Sequence, residues 1–336
     1  METKYDVLGI GNAIMDVIAP VTDAFLTDHG MTKGAMTLVD QPRALTIHTS
    51  MRAASTPTEI AGGSAGNTMV GIAKMGVRAA YIGKVGKDET GEKLAAGFRE
   101  AGLEFSTVPT ESGTSSARSM IAVTPDGERT MNTFLGASVE FGHEDIKKSE
   151  IQAADVIYLE GYLFDSDAAK SAYVSASEIA KAAGRKVALT LSDSFCVDRH
   201  RASFQHLVEH HVDILFANED ELTALTGEAD FDVSLAKLVR QNIVVCATRS
   251  HKGSTIMVGN ERHDIPAVWV EKVVDTTGAG DQYAAGVLAG RAMGLSWSDA
   301  GYLGSLAAAE VISHYGARPL TSIHELTFIS RPVLKA

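Results

Sequence analysis

The chain has 336 residues, of which 45% are hydrophobic and 21% charged, and its 30 lysines and arginines stand against 42 aspartates and glutamates. The formal net charge of −12 makes a nucleic acid an unfavourable partner, because a surplus of carboxylates repels a phosphate backbone. The two cysteines, Cys196 and Cys246, form no CxxC pair, which argues against a disulfide framework and a zinc site.

Short aliphatic runs alternate with longer amphipathic stretches along most of the chain. Predicted strands occupy residues 6–10, 79–82, 155–159, 187–191, 213–216 and 243–247. Predicted helices occupy residues 65–75, 89–101, 168–183, 218–225, 278–293 and 297–314. This alternation predicts right-handed βαβ units and therefore an α/β fold, with a doubly wound, mostly parallel sheet between two layers of helices.

Residues 117–135 break the alternation and are typical of an antiparallel hairpin. The turn Thr124-Pro125-Asp126-Gly127 has proline at its second position and glycine at its fourth, as a type I turn favours. Together with residues 17–21 and 35–39, the hairpin is predicted to form a small β lid subdomain on a single domain spanning residues 1–336. Exposed hairpin edges invite pairing between copies, so both a monomer and a homodimer stay open.

The sequence also indicates a compartment. The first residues lack the basic start and apolar run of a signal peptide, and no window reaches the roughly eighteen apolar residues of a membrane span. The two isolated cysteines fit a reducing environment. We therefore expect a cytoplasmic protein without a membrane partner.

The first predicted strand ends in Gly9-Ile10-Gly11-Asn12, which begins like a dinucleotide fingerprint. Ile14 replaces the third glycine, so a Rossmann NAD site is only weakly supported. Asn12 and Asp16 follow the strand, at the edge where open α/β sheets bind ligands. Two interpretations stay open, a simple tight turn and a site for vicinal hydroxyl groups.

Small residues precede the helix predicted from residue 65, in the segment Gly62-Gly63-Ser64-Ala65-Gly66-Asn67. Ser64 is suited to cap the helix, and the paired glycines would let the backbone approach a ligand closely. Capping does not explain why Gly66 and Asn67 follow on the same turn. The composition therefore favours an open polar pocket at this helix start.

The next motif, Asn218-Glu219-Asp220-Glu221, comes directly after a predicted strand and begins with Asn218 and ends with Glu221. Asparagine at the N-cap with glutamate three residues later resembles a capping box. The same two side chains suit a Mg²⁺ ion held through water, since this ion needs only one or two protein oxygens. Taken alone, the motif favours the cap, and both roles are compatible.

The most informative segment is Asp275-Thr276-Thr277-Gly278-Ala279-Gly280-Asp281, which leads into an apolar helix. Small residues at a helix start leave the amides of Ala279, Gly280 and Asp281 without partners, and such amides bind anions. Asp281, held ionised by the helix dipole, can accept a proton from an attacking hydroxyl beside that anion. A loose phosphoryl-transfer transition state needs only such a weak base. No GxxxxGK[ST] segment occurs, which excludes a P-loop.

Taken together, these motifs resemble the ribokinase-type (PfkB) family of sugar and nucleoside kinases over nearly the whole chain. The resemblance rests on Gly62-Gly63 with Asn67, on residues 82–88, on Asn218 with Glu221, and most specifically on residues 275–281. It implies a ribokinase-like fold and an ATP-dependent transfer of the γ-phosphoryl group to a primary hydroxyl.

The resemblance also implies roles for individual residues. Asp281 is similar to the catalytic base, and Gly278, Ala279 and Gly280 are similar to the anion hole. Asn218 and Glu221 resemble the magnesium and phosphate motif. The residues expected to contact the nucleotide are Asn218, Thr248, Ser250, Gly253 and Thr277, although Ser250 stands where the family's TxGxxG turn usually has glycine. Residue types leave open whether K⁺ binds near Asp275 and Thr277, as in some relatives.

The acceptor side resembles the adenosine kinase branch more than ribokinase itself. The residues expected to hold the ribose or sugar are Asn12, Asp16, Gly63, Ser64 and Asn67. Tyr162, with Tyr158 and Phe164, either offers a stacking surface for a purine or fills the core. Arg129 on the hairpin either covers the transferring phosphate or is solvated. These features favour adenosine, with ribose, fructose or a keto-deoxy sugar acid as the alternative acceptor.

Overall fold

A computed structural model of the chain describes residues 3–239 and 243–321. The strands are β1 (Tyr5–Ile10), β2 (Ile14–Pro20), β3 (Met36–Leu38), β4 (Thr58–Gly62), β5 (Ala79–Ile82), β6 (Glu104–Phe105), β7 (Ala117–Val123), β8 (Arg129–Phe134), β9 (Ala154–Glu160), β10 (Lys186–Thr190), β11 (Ile214–Asn218), β12 (Val244–Thr248), β13 (Ser254–Val258) and β14 (Glu261–Ile265). The α-helices are α1 (Asp23–Asp28), α2 (Gln41–Ala54), α3 (Ser64–Lys74), α4 (Glu89–Glu100), α5 (Lys148–Gln152), α6 (Asp167–Ala182), α7 (Ser194–His210), α8 (Glu219–Thr226), α9 (Phe231–Val239), α10 (Ala279–Ala292) and α11 (Trp297–Val311).

The larger sheet has nine strands in the order β14-β13-β12-β11-β10-β9-β1-β5-β6. Strand β1 pairs in parallel with both β5 and β9, and only β13 and β14 run antiparallel to their neighbours. The chain moves outward from β1 to β6 and then returns to β9 on the other side of β1. The topological switch point therefore lies beside β1, and ligands of open α/β sheets bind at such a crevice.

Successive side chains of the central strands point into two separate hydrophobic cores. Leu8 of β1 packs into the core formed with α6, α7 and α8, whereas its neighbour Val7 packs into the core formed with α3, α4 and α10. Because strand side chains alternate between faces, a sheet covered on both sides needs apolar residues at every position. The predicted three-layer, doubly wound α/β fold is confirmed.

A second sheet of five strands has the order β3-β8-β7-β2-β4. The predicted hairpin is present as β7 and β8, with the Gly127 amide donating to the Thr124 carbonyl across 2.8 Å. The predicted segments 17–21 and 35–39 fall largely in β2 and β3, while β4 was not predicted. Helices α1 and α2 pack against this second sheet and form a separate small hydrophobic core with it. Only three residues separate β1 from β2, so this sheet starts at the carboxyl edge of the larger one.

Within the described ranges, no helix is both long and apolar enough to cross a bilayer.

Candidate active site

The start of α10 meets the start of α3 at the carboxyl edge of the larger sheet. Asp281 Oδ1 accepts a hydrogen bond of 2.6 Å from Ser64 Oγ, and Asn67 Nδ2 lies 3.5 Å from Asp281 Oδ2. These partners are more than two hundred residues apart in the sequence. The structure thus brings two of the predicted motifs together around one carboxylate.

The carboxyl of Asp281 is half-buried, and its desolvation by the surrounding protein raises its pKa to about 6. The hydrogen bonds from Ser64 and Asn67 favour the ionised form and oppose this rise. Desolvation has the larger effect, so the pKa lies above that of an ordinary aspartate. A carboxylate with this pKa is mostly ionised at neutral pH and is a better proton acceptor than an ordinary aspartate.

Two of the three predicted amides at the start of α10 are available to a ligand. Gly278 has φ +79°, and a side chain there would lie 2.7 Å from the backbone of Ala317. The Ala279 amide, which we had expected to be free, donates to the Thr276 carbonyl across 3.2 Å. No acceptor in the described part of the chain pairs with the amides of Gly280 and Asp281. A side chain at Gly280 would meet only open space, so the protein's own packing does not require glycine there.

The paired glycines before α3 make room for protein atoms, not only for a ligand as predicted. A side chain at Gly62 would lie 2.4 Å from Asp16 Oδ2, and one at Gly63 would lie 1.9 Å from the Asn12 carbonyl oxygen. Gly63, with φ +98°, is the N-cap of α3, so the prediction that Ser64 caps this helix was wrong. Ser64 is the first helical residue, which leaves its hydroxyl free to reach Asp281.

Glu160, which the sequence analysis did not single out, connects the Asn12 turn to α3. It ends β9, and its carboxylate accepts hydrogen bonds from Asn12 Nδ2 at 2.9 Å and from the Ala65 amide at 2.7 Å. Complete burial raises its pKa to about 7, against the effect of these donors. The only sequence signal was an acidic residue directly after a buried strand. Glu160 and Asn12 therefore join β9 and β1 at the topological switch point.

Asp16 points into the same cleft from β2 and is half-buried. Burial raises the pKa of its carboxyl to about 6, while the nearby guanidinium groups of Arg129 and Arg318 lower it and the charge of Asp281 raises it. Arg318 was likewise not singled out from the sequence. The two arginines therefore offset part of the negative charge of Asp16 and Asp281 in this cleft.

Arg129 does not lie in solvent, so that interpretation of the hairpin arginine was wrong. Its guanidinium forms an ion pair with Asp275, and the two side chains are 9% and 4% exposed. Asp275 also accepts hydrogen bonds from the Thr277 hydroxyl at 2.6 Å and from the Gly316 amide at 3.0 Å. This carboxylate is therefore already paired with a cation and hydrogen-bonded within the protein.

Asn218 and Glu221 form the predicted capping box at the start of α8. Asn218 Oδ1 accepts from the Glu221 amide at 2.8 Å, and the Asn218 amide donates to Glu221 Oε2 at 3.0 Å. Burial, together with the charges of Asp193 and Asp281, raises the pKa of Glu221 to about 7. This acidic, oxygen-rich corner fits Mg²⁺ held through water, since that ion needs few protein ligands. Within residues 3–239 and 243–321, no three metal-ligating side chains cluster to enclose an ion.

The turn from Thr248 to Gly253 follows β12 and contains the 3₁₀ turn Ser250–Lys252. Ser250 has φ +53°, a left-handed conformation that glycine adopts more easily than serine. The position where the family usually has glycine is therefore strained in this chain. The Arg249 amide donates to the Gly253 carbonyl across 2.8 Å and closes the turn around this residue.

Replacing Ser250 with glycine is expected to stabilise the protein by about 0.5–1 kcal/mol, because relief of left-handed strain exceeds the added backbone entropy. Urea unfolding of the purified S250G variant beside wild type measures this difference. Lys252→Gly, in the same turn, is the control and should destabilise the protein. Equal or lower stability of S250G would show that the serine conformation is not strained.

The predicted aromatic surface is mostly part of the core. Tyr158 is 1% and Phe164 2% exposed, and Phe164 stacks on Phe204 with ring centroids 4.2 Å apart. The interpretation that these two rings stack on a purine was therefore wrong. Only Tyr162 of the three remains partly accessible.

Comparison with known proteins matches this chain to kinases. The profile of the pfkB family of carbohydrate kinases matches residues 34–323. A probable sugar kinase from Rhizobium etli is 44% identical, with a TM-score of 0.89 over 98% of this chain and 99% of that one. The adenosine kinase of Sinorhizobium meliloti is 47% identical, with a TM-score of 0.88 over 97% and 99% of the two chains. Fructokinase-1 of rice is 30% identical over 234 residues, covering 68% of this chain and 72% of the rice protein.

A match over most of the chain to one family, together with a carboxylate placed at a glycine-rich helix start, identifies this protein as a member of the pfkB family of carbohydrate kinases, a phosphotransferase with an alcohol group as acceptor.

Proposed function

We propose that this kinase transfers the γ-phosphoryl group of ATP to the 5′-hydroxyl of adenosine. The observation that carries the proposal is the position of Asp281, which is hydrogen-bonded to Ser64 and lies beside the two unpaired amides at the start of α10. A hydroxyl next to Asp281 would face an anion bound by those amides. The likeness to an adenosine kinase over nearly the whole chain supports the choice of acceptor.

The acceptor would lie between β2 and the start of α3. Asp16 and Asn67 offer a carboxylate and an amide to vicinal hydroxyl groups, and Asn12 is held beside them by Glu160. Gly63 keeps the backbone close to this turn, and Ser64 holds Asp281 on the reacting side. The second sheet, from which Asp16 and Arg129 extend, would act as the lid that excludes water.

In the reaction, the acceptor oxygen bonds to the γ-phosphorus while the bond from that phosphorus to the bridging oxygen of ADP breaks. The hydroxyl proton passes to Asp281, which later releases it to solvent. The amides of Gly280 and Asp281 stabilise the charge on the transferring group. Little covalent work is left to the protein, because positioning and charge stabilisation dominate phosphoryl transfer.

The nucleotide would extend from the start of α10 towards α8 and the turn after β12. Thr248, Ser250 and Gly253 lie on that turn, while Thr277 lies on the loop before α10. Asn218 and Glu221 would hold Mg²⁺ through water, and the ion would neutralise charge on the phosphates. Arg129 is paired with Asp275 near this loop, so it would contact a phosphate only if lid closure broke or shared that ion pair.

A sugar acceptor is the second candidate, and one structural observation favours it. Burial of Tyr158 and Phe164 removes most of the aromatic surface that a purine would use. The likeness to fructokinase-1 of rice and to a probable sugar kinase supports the same alternative. Fructose and ribose would use the same base and the same hydroxyl-binding side chains.

A coupled assay that follows ADP release separates the two candidates. The purified kinase is given Mg²⁺·ATP with adenosine, other nucleosides, ribose, fructose and a keto-deoxy sugar acid in turn. We expect the highest kcat/KM with adenosine. A higher kcat/KM with fructose or ribose would overturn the adenosine assignment, and no turnover with any of these acceptors would overturn the proposed reaction.

Turnover is expected to fall as the pH drops below about 6, because a protonated Asp281 cannot accept the hydroxyl proton. The sign follows from the raised pKa, since the active, ionised form is lost as the pH falls through that value. Measurement of kcat between about pH 5 and 8.5 should show an acidic limb when the substrates and Mg²⁺ are saturating, because a bound ion keeps Glu221 ionised. A flat profile down to about pH 5 would contradict the role of Asp281 as the base.

A further inference from the structure

The segment that follows α11 lies over the start of α10 and so forms part of the cleft. The Val274 amide donates to the Ile312 carbonyl across 2.8 Å, which anchors the beginning of this segment. Gln282 Nε2 then donates to the Ala317 carbonyl at 3.1 Å. These contacts fix the backbone on which the next residue, Arg318, is carried.

Arg318 extends from this segment towards α3. Its Nε lies 3.5 Å from Asn67 Oδ1, and its guanidinium carbon lies 5.6 Å from the centre of the Phe98 ring. Burial lowers its pKa to about 10, so the side chain stays charged at neutral pH. Its buried Nη2 has no hydrogen-bond partner among the described residues. A buried cation is costly unless it is paired and hydrogen-bonded, so the partners of Arg318 matter.

The contacts with Arg318 and with Asp281 together fix how the Asn67 amide is turned. A guanidinium has only hydrogen-bond donors, so Asn67 must present its oxygen to Arg318. The amide nitrogen then faces the other way, where it lies 3.5 Å from Asp281 Oδ2. In the reverse orientation, the amide oxygen would face the Asp281 carboxylate and repel it. Arg318 thus acts on the site through Asn67.

Arg318 also balances the charge of Asp16. The charged groups that face Asp16 are Arg129 from β8, Arg318 from the segment after α11 and Asp281 from α10. Without Arg318, only Arg129 would offset the repulsion between the carboxylates of Asp16 and Asp281. Asp16 would then be protonated at a higher pH and would lose part of its capacity to accept hydrogen bonds from hydroxyl groups.

We propose that Arg318 is a positioning residue of the acceptor site, which orients Asn67 and balances the charge of Asp16 so that both can bind the acceptor hydroxyls. This inference rests on the proposed position of the acceptor, but it does not depend on which nucleoside or sugar is phosphorylated. Its substrate class is an uncharged polyol, recognised by an amide and an ionised carboxylate.

The test compares Arg318→Met with Arg318→Lys and with Lys74→Met. Arg318→Met keeps much of the side-chain volume and removes the charge. Lys74 donates to the Pro319 carbonyl and holds the same segment from outside the cleft, so Lys74→Met controls for loosening of the segment. Steady-state kinetics use the acceptor that wild type phosphorylates best, and thermal unfolding shows whether each variant folds.

For Arg318→Met we expect the acceptor KM to rise by roughly 10- to 30-fold, with the KM for ATP and kcat within about threefold of wild type. The acidic limb of kcat/KM should move to higher pH, because Asp16 has lost one of its two cations. Arg318→Lys should lower the acceptor KM part of the way back to wild type and return the acidic limb of kcat/KM to its wild-type pH. Lys74→Met should leave both near their wild-type values.

Three results would overturn the inference. These are an unchanged acceptor KM in folded Arg318→Met, an equal rise in KM in Lys74→Met, or a pH limb that stays in place in both Arg318 variants. Failure of the proposed function is distinguishable, because it would appear as wild-type protein that turns over no acceptor of the panel.

Discussion

Replacing Asp281 with asparagine is expected to lower kcat by about 10²- to 10⁴-fold, the usual contribution of a general base. Asparagine has nearly the same shape and can still accept the hydrogen bond from Ser64, so the cleft should keep its geometry. What is lost is the capacity to take the hydroxyl proton. Acceptor affinity should therefore stay within a few-fold of wild type.

A discontinuous activity assay measures kcat, and calorimetric titration with adenosine measures the acceptor affinity separately. Asp167→Asn is a matched control, because Asp167 also lies in the first turn of a helix, while its side chain is 97% exposed and pairs only with Lys170 among the described residues. The control should keep wild-type kcat. Turnover of Asp281→Asn within about tenfold of wild type would rule out Asp281 as the base.

Gly63→Ala is expected to destabilise the protein by more than about 3 kcal/mol and to abolish acceptor binding. Its φ of +98° is strained for any residue with a side chain, and the new carbon would lie 1.9 Å from the Asn12 carbonyl oxygen. Relief of that clash must displace either the Asn12 turn or the start of α3. Both movements would break the contacts of Glu160 with Asn12 and with the Ala65 amide.

The other end of the same helix offers the control for this substitution. Gly76 follows α3 and also has a positive φ, +79°, but a side chain there would meet open space. Gly76→Ala should therefore show only the cost of left-handed strain, about 1–2 kcal/mol, with acceptor binding kept. Urea unfolding and acceptor titration of both variants test the comparison. Equal destabilisation of the two would mean that strain alone, without the clash, explains the effect at position 63.

The sequence predicted most of the α/β framework because its signals are local. The central strands were placed within one or two residues at their ends, and 79–82 coincides with β5, because a buried strand requires an unbroken apolar run. The antiparallel pair β13 and β14 was missed, since β14 is mostly polar and β13 has only the short apolar run at residues 256–258. Helix α2 was missed as well, and its weak amphipathic pattern explains why.

The chemistry at each motif was also readable from the sequence, because it depends on residues that are close together along the chain. The capping box of Asn218 and Glu221 and the helix start at residues 278–281 need only a few neighbours. Such short-range geometry is determined by backbone preferences and local hydrogen bonds. The sequence by itself therefore determined the fold class, the family resemblance and the candidate base.

Only the tertiary structure decided which groups share the cleft. Several contacts in the cleft join segments that are distant in the sequence. Ser64 meets Asp281, and Glu160 is buried between Asn12 and α3. Arg318 reaches the cleft from the segment after α11. The tertiary structure likewise decided that Tyr158 and Phe164 lie in the core and that Arg129 pairs with Asp275. Packing of whole layers sets these contacts and the resulting pKa values, because burial and charge depend on neighbours that no local pattern encodes.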